Sequence, residues 1–189
     1  MNPRNLLVAI AILLVTAFAS ASTSLEDFTR RAVASLPIHK DDRDFAGKPT
    51  QLETIAVAIS RHSKAPPGGI APKAWAALML DVAFNESGLS QRIVEHHCRP
   101  RECDSGRAKG LGQLHANTFN RDEWQRADGD IELQVKMLDD GLRRGYWQCA
   151  RSGVGFPAAT LSGYAGQGCG AQWAGLSKRL AVYNRLVTK

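Results

Sequence analysis

Apolar positions recur every three or four residues through most of this chain, and no stretch alternates convincingly, which predicts helices with little or no sheet. Thr23-Ser24-Leu25-Glu26 is a capping-box pattern and predicts a helix over 24–36, stopped before Pro37. Residues 38–49 are charged, contain Gly47 and Pro49, and read as a loop. Thr50-Gln51-Leu52-Glu53 is a second capping box; Leu52, Ile55, Ala56 and Ile59 then continue a helix to about residue 63. Pro66-Pro67-Gly68-Gly69 breaks it. Further along, 91–107 reads as a polar loop and 117–124 as a short helix. Asp128 or Asp130 caps a helix with Ile131, Val135, Leu138 and Leu142 on one face, ending near Gly145. A short helix over 157–162 leads to a last helix over 171–186, whose stripe is Trp173, Leu176, Leu180, Tyr183 and Val187.

One helix carries candidate chemistry. Pro72 opens it as a first-turn proline and Gly88 is a plausible stop. Trp75, Met79, Val82 and Glu86 are spaced four, three and four. At helical pitch, Glu86 lies about 20° around the axis from Trp75. It therefore continues an apolar stripe toward the core or a cleft. A carboxylate there loses water, which disfavours its charged form and suits a general acid working near neutral pH. The alternative is a buried carboxylate paired with an Arg or Lys.

Composition adds compartment and partner. With 44% hydrophobic and 22% charged residues in 189, the chain has room for one domain with a core. Arg4, an uncharged apolar run from Leu6 to Ala19, and Ala19-Ser20-Ala21 read as a secretory signal over 1–21, cleaved near Ala21. Export makes the protein periplasmic or secreted. The four cysteines, Cys98, Cys103, Cys149 and Cys169, then read as two disulfides. Three pairings are open; Cys98–Cys103 with Cys149–Cys169 is preferred because each closes a short loop. Zinc on His96, His97, Cys98 and Cys103 is the sharper alternative, with a spacing that matches no standard finger. No metal and no cofactor is expected. A net charge of +6 suits an anionic polymer such as a cell wall, or a membrane surface. The basic residues form no stripe interleaved with aromatics, which argues against nucleic acid.

Three pieces, in order, resemble the soluble lytic transglycosylases and the related goose-type lysozymes. They are Glu86-Ser87-Gly88-Leu89 at a helix end, Ser105-Gly106-Arg107-Ala108-Lys109-Gly110-Leu111-Gly112-Gln113, and Gly163-Tyr164-Ala165-Gly166. Thr118 falls where the second block usually carries a Thr. The chain departs from the pattern at Gly112, where the family has Met, and in the third motif, which lacks an Asn. The loop between the first two motifs is longer than usual and holds Cys98 and Cys103.

The resemblance covers 51–189. It implies a mainly α, lysozyme-like helical domain stapled by disulfides, with 22–50 as an N-terminal extension. It implies a monomer acting on peptidoglycan glycan strands, with cell-envelope machinery as a further partner. Glu86 would be the single catalytic acid/base, cleaving the MurNAc-β-1,4-GlcNAc bond to give 1,6-anhydro ends. Ser87, Gln113 and Tyr164 would bind substrate, the Gln113 amide meeting an N-acetyl group. A hydrolytic goose-type muramidase is the alternative; it would need a second carboxylate to hold water, for which Asp104 is the candidate. A non-catalytic wall-binding protein on the same fold is the alternative of another class. Trp75 and Trp173 read as core, whereas Trp124 and Trp147 are free to stack on sugars. His96, His97 and His115 read as surface or hydrogen-bonded histidines.

Overall fold

A computed structural model describes residues 24–38, 49–98, 103–170 and 173–189. The proposed export signal lies outside these residues. Eight helices account for most of the described chain: α1 (Leu25–Ala34), α2 (Pro49–His62), α3 (Pro72–Ser87), α4 (Gln91–Val94), α5 (Arg121–Arg126), α6 (Ile131–Cys149), α7 (Ala158–Tyr164) and α8 (Leu176–Val187). The only sheet among them is a hairpin of two-residue strands, β1 (Ala108–Lys109) and β2 (Leu114–His115), with Ala108 opposite His115. The fold is mainly α and stapled by disulfides, as the periodicity and the cysteines predict.

Helix α3 is the axis of the molecule. Trp75, Leu78, Met79, Leu80, Val82 and the alanines between them are fully buried. Each large apolar side chain hidden this way contributes about 1.5–3 kcal/mol. Helices α1, α2, α6 and α8 surround it. The helix of the 22–50 extension joins this core directly, through Phe28, Ala32, Val33 and Leu36. Among the described residues, no helix is long and apolar enough to cross a membrane.

Several boundaries differ from the sequence reading for local reasons. Ser24 caps α1 by accepting from the Asp27 N–H at 3.0 Å. Helix α2 begins at Pro49, so Thr50 lies inside its first turn and Glu53 pairs with Arg30 of α1 instead of closing a capping box. Asn120, not a residue near 117, caps α5 by accepting from Asp122 and Glu123. Asp130 caps α6, which runs on past Gly145 to Cys149. Helix α8 starts only at Leu176, so Trp173 precedes it, and Val187 is exposed while Leu186 fills the core. The 91–107 loop contains α4 and a 3-10 turn over Asp104–Gly106.

Both disulfides adopt the local pairing, Cys98–Cys103 and Cys149–Cys169. The first takes from the zinc alternative the thiols it needs. The second ties the end of α6 to the segment after α7 across a sequence separation of 20. Loop-closure entropy assigns it about 3 kcal/mol, against about 2 for the shorter loop. We therefore predict that Cys149→Ala/Cys169→Ala lowers unfolding free energy more than Cys98→Ala/Cys103→Ala. Urea titration of the two double variants checks the order.

Candidate active site

The end of α3, the hairpin turn, α6 and the end of α7 enclose a cleft of about 450 Å³. Glu86, Gln113 and Tyr164 line it together, with His115, Thr118, Phe119, Arg144 and Gln148. Among the lining residues Glu86 is the one carboxylate. The cleft thus brings together three of the four residues singled out from the sequence, across 78 positions of chain between Glu86 and Tyr164.

Ser87 is not among them. Its hydroxyl donates to the Ala83 carbonyl at 2.6 Å and accepts from the Leu89 N–H at 3.1 Å. Gly88 and Leu89 follow with φ of 61° and 58°, two left-handed residues in succession. Ser87 braces that turn and does not line the cleft. The turn releases the chain from α3 within one residue of Glu86, so the carboxylate sits at the helix's open end.

Glu86 is not the dry carboxylate that helical phase predicts. Helix α3 is buried on all sides, so a single stripe cannot select a direction. The Glu86 side chain is 24% exposed and forms an ion pair with Arg179 of α8. Arg179 lies three residues beyond Leu176 and four before Tyr183, on the face that α8 packs inward. Its guanidinium carbon also lies 5.6 Å from the centre of the Trp173 ring.

Asp81, one turn and a residue before Glu86, is the second acid that the sequence reading missed. It is fully buried, and its Oδ1 accepts from Asn85 Nδ2 at 2.8 Å. Among the described residues, Asp81 Oδ2 and Arg179 Nη1 are buried without hydrogen-bond partners. Burial pushes the Asp81 carboxyl up to about 7, while the Arg179 charge and the Asn85 bond oppose the rise. A carboxyl in an otherwise apolar helix was its signal in the sequence.

This acid makes stability pH-dependent. The folded state holds the Asp81 proton more tightly than the unfolded chain, so the contribution is intact below pH ~4 and is lost as pH rises through about 7. The interval is worth at most about 4 kcal/mol. Asp81→Asn keeps the acceptor for Asn85 and removes the charge. The variant should gain on the wild type by about 1–3 kcal/mol between pH 5 and pH 8. Urea unfolding at both values measures this; a constant difference would refute it.

The second motif is explained by what its glycines meet. A Cβ at Gly110 would lie 2.4 Å from Gln134 Oε1. That buried glutamine accepts from the Leu111 N–H at 3.0 Å and donates to the Val94 and Ala127 carbonyls at 2.7 and 2.6 Å. A Cβ at Gly112 would lie 2.7 Å from the Tyr164 hydroxyl. Gly112 therefore leaves the space that the phenol occupies. The glycines admit other elements of the protein. Gln113 closes the turn at φ 47°, a strained conformation for a side-chain-bearing residue, and its Nε2 makes only long contacts, 3.4 Å to the Gly110 carbonyl and 3.7 Å to Cys103 Sγ.

Tyr164 ends α7 and donates to the Gly112 carbonyl at 2.6 Å. Burial, reinforced by the Glu86 charge, pushes its phenol well up, so it stays protonated and acts as a donor and a strut. Tyr164 stands where it does because α6 and α7 meet through glycines. A Cβ on Gly163 would lie 2.5 Å from the Gly145 carbonyl oxygen, and one on Gly145 2.6 Å from the Tyr164 nitrogen.

No protein-family model, curated protein or solved structure matches the chain. The site therefore rests on its own geometry. Asp104 bonds Arg107 at 3.1 Å, lies 3.9 Å from His115 and does not line the cleft. His96 faces Asp128 and His97 faces Glu95, both outside it. Trp124 is no sugar platform: its indole donates to the Leu114 carbonyl at 2.7 Å, and Lys109 lies 4.2 Å over its ring. Trp75 is core and donates to Asp139. Trp173 packs partly buried against Ser162, whereas Trp147 is 64% exposed.

Proposed function

We propose that the cleft cleaves the MurNAc-β-1,4-GlcNAc bond of peptidoglycan as a lytic transglycosylase, on a lysozyme-like domain. The observation that carries the reading is the convergence of Glu86, Gln113 and Tyr164 in a cleft whose lining holds one carboxylate. Glu86 gives its proton to the glycosidic oxygen as the C1–O4 bond breaks. The same carboxylate then takes the proton of the C6 hydroxyl as O6 bonds to C1. Proton and electron pairs balance without water, and the product ends in a 1,6-anhydro ring. One carboxylate suffices, unlike the flanking pair of most glycosidases. Arg179 would stabilise the carboxylate that develops as the proton leaves. Gln113 offers its amide to an N-acetyl group, and the Tyr164 oxygen keeps acceptor capacity toward a sugar hydroxyl.

Hydrolysis is less well supported, because Asp104 is engaged elsewhere. The Glu86–Arg179 pair favours a second reading, a wall-binding protein in which Glu86 is structural. Mass spectrometry of fragments released from a cell-wall suspension separates these readings. Anhydro fragments, one water lighter than reducing ends, support the transglycosylase. Reducing ends would indicate a hydrolase, and pelleting without release a binder. Two disulfides fit an exported protein in an oxidising compartment, periplasmic or secreted, where wall turnover or cell-envelope machinery would employ it.

A further inference from the structure

Arg144 is a charge in the cleft that the reaction does not use. It stands on α6 between Gly141 and Gly145, which bring backbone, not side chain, to the cleft wall. Its guanidinium carbon lies 4.4 Å from the centre of the Phe119 ring, a cation–π contact that holds the group against an aromatic face. Other cations near the cleft are neutralised: Arg179 by Glu86, Lys109 by Asp128, Lys136 by Asp140 and Glu123, Arg143 by Asp139. Among the described residues, no carboxylate pairs with Arg144. With Glu86 and Arg179 cancelling, Arg144 leaves the cleft positive. His115 and Gln148 add further polar groups to the same wall.

We infer that Arg144 binds a carboxylate carried by the glycan and so selects an acidic over a neutral amino-sugar chain. The inference rests on the transglycosylase reading above, and names how that site chooses its strand. A planar guanidinium held on an aromatic face presents two parallel N–H donors, the geometry that takes a carboxylate bidentately. Peptidoglycan offers this group from two sources: the lactyl ether of a peptide-free muramic acid, or the acidic residues of a peptide stem. Both stand beside the sugar ring, as Arg144 stands beside the glycine-lined wall. A chain of N-acetylglucosamine alone has neither.

The test uses full-length protein carrying Glu86→Gln together with Arg179→Gln, so that ligands are bound and not consumed and the loss of the Glu86 charge leaves no second unpaired cation beside the site. Three tetrasaccharides are titrated calorimetrically: N-acetylchitotetraose, a glycan with free lactyl carboxylates, and a glycan whose lactyl groups bear peptide stems. At least one acidic ligand should bind about 10- to 100-fold tighter than the neutral one, and Arg144→Gln should erase that difference while leaving N-acetylchitotetraose unchanged. Preference for the second ligand identifies the lactyl group; preference for the third identifies the stem. Arg144→Lys should restore part of the difference. If acidic and neutral ligands bind alike, or if Arg144→Gln weakens all three equally, the selectivity role falls while the saccharide site stands. If none of the three binds, the transglycosylase reading falls with it.

Discussion

Glu86→Gln should lower the rate of wall clearing by about 10²- to 10⁴-fold while the protein stays folded. Glutamine keeps the size of the side chain and an oxygen that accepts from Arg179, but it neither gives nor takes the proton. The cost in stability should be modest, about 1–2 kcal/mol, because the amide still hydrogen-bonds the guanidinium and Asp81 remains near it. Release of anhydro fragments measures the rate, and a melting curve measures the fold. The two readouts together separate chemistry from structure. A variant that clears wall at the wild-type rate would leave Glu86 as nothing more than Arg179's partner. Loss of clearing together with loss of the folded state would leave catalysis undemonstrated, and Arg179→Gln then resolves the matter. If the pair is merely structural, both variants lose stability alike and wall binding returns when each is stabilised by cooling.

Gly163→Ala should destabilise the fold by about 3 kcal/mol and remove most activity. Alanine is the better helix former by about 1 kcal/mol, so propensity alone predicts the opposite sign. Contact decides. The added methyl would lie 2.5 Å from the Gly145 carbonyl oxygen and 2.7 Å from its Cα, and backbone on neither side can rotate away. Helices α6 and α7 must separate, which moves Tyr164 off the Gly112 carbonyl and opens the cleft along Gly145. Gly145→Ala meets the mirror-image obstacle, at 2.6 Å from the Tyr164 nitrogen and 2.7 Å from the Thr160 carbonyl oxygen. The urea midpoint of each variant checks the sign. A midpoint at or above the wild type would show that the helices yield easily, and that this contact does not hold the cleft in shape.

These two predictions come from different depths of the molecule. Glu86 is visible in the sequence because a carboxylate ends an apolar helix and a motif follows it. The Gly145–Gly163 contact is not, because each glycine by itself reads as a stop or a loop. By spacing Gly145 reads as the end of α6, although the helix runs four residues beyond it. A glycine inside a helix leaves no periodic signal to say whether the chain stops there or another backbone comes close.

Sequence by itself determined the helical class and the position and cap of α3, and it favoured, among three pairings, the local disulfides. These follow from short-range physics: hydrophobic spacing, a first-turn proline, a left-handed glycine at Gly88, and cysteines close in the chain. The resemblance, not spacing, singled out Gln113 and Tyr164, which the fold gathers with Glu86 in one cleft. Tertiary structure decided what those residues do to one another. It gave Glu86 a partner 93 positions away in Arg179, set the buried acid Asp81 near them, turned Ser87 into a brace, and packed Tyr164 into the space that Gly112 leaves open. Whether a carboxylate at a helix end is dry or paired depends on which side chain of a distant helix arrives beside it. Periodicity along one segment carries no information about that arrival.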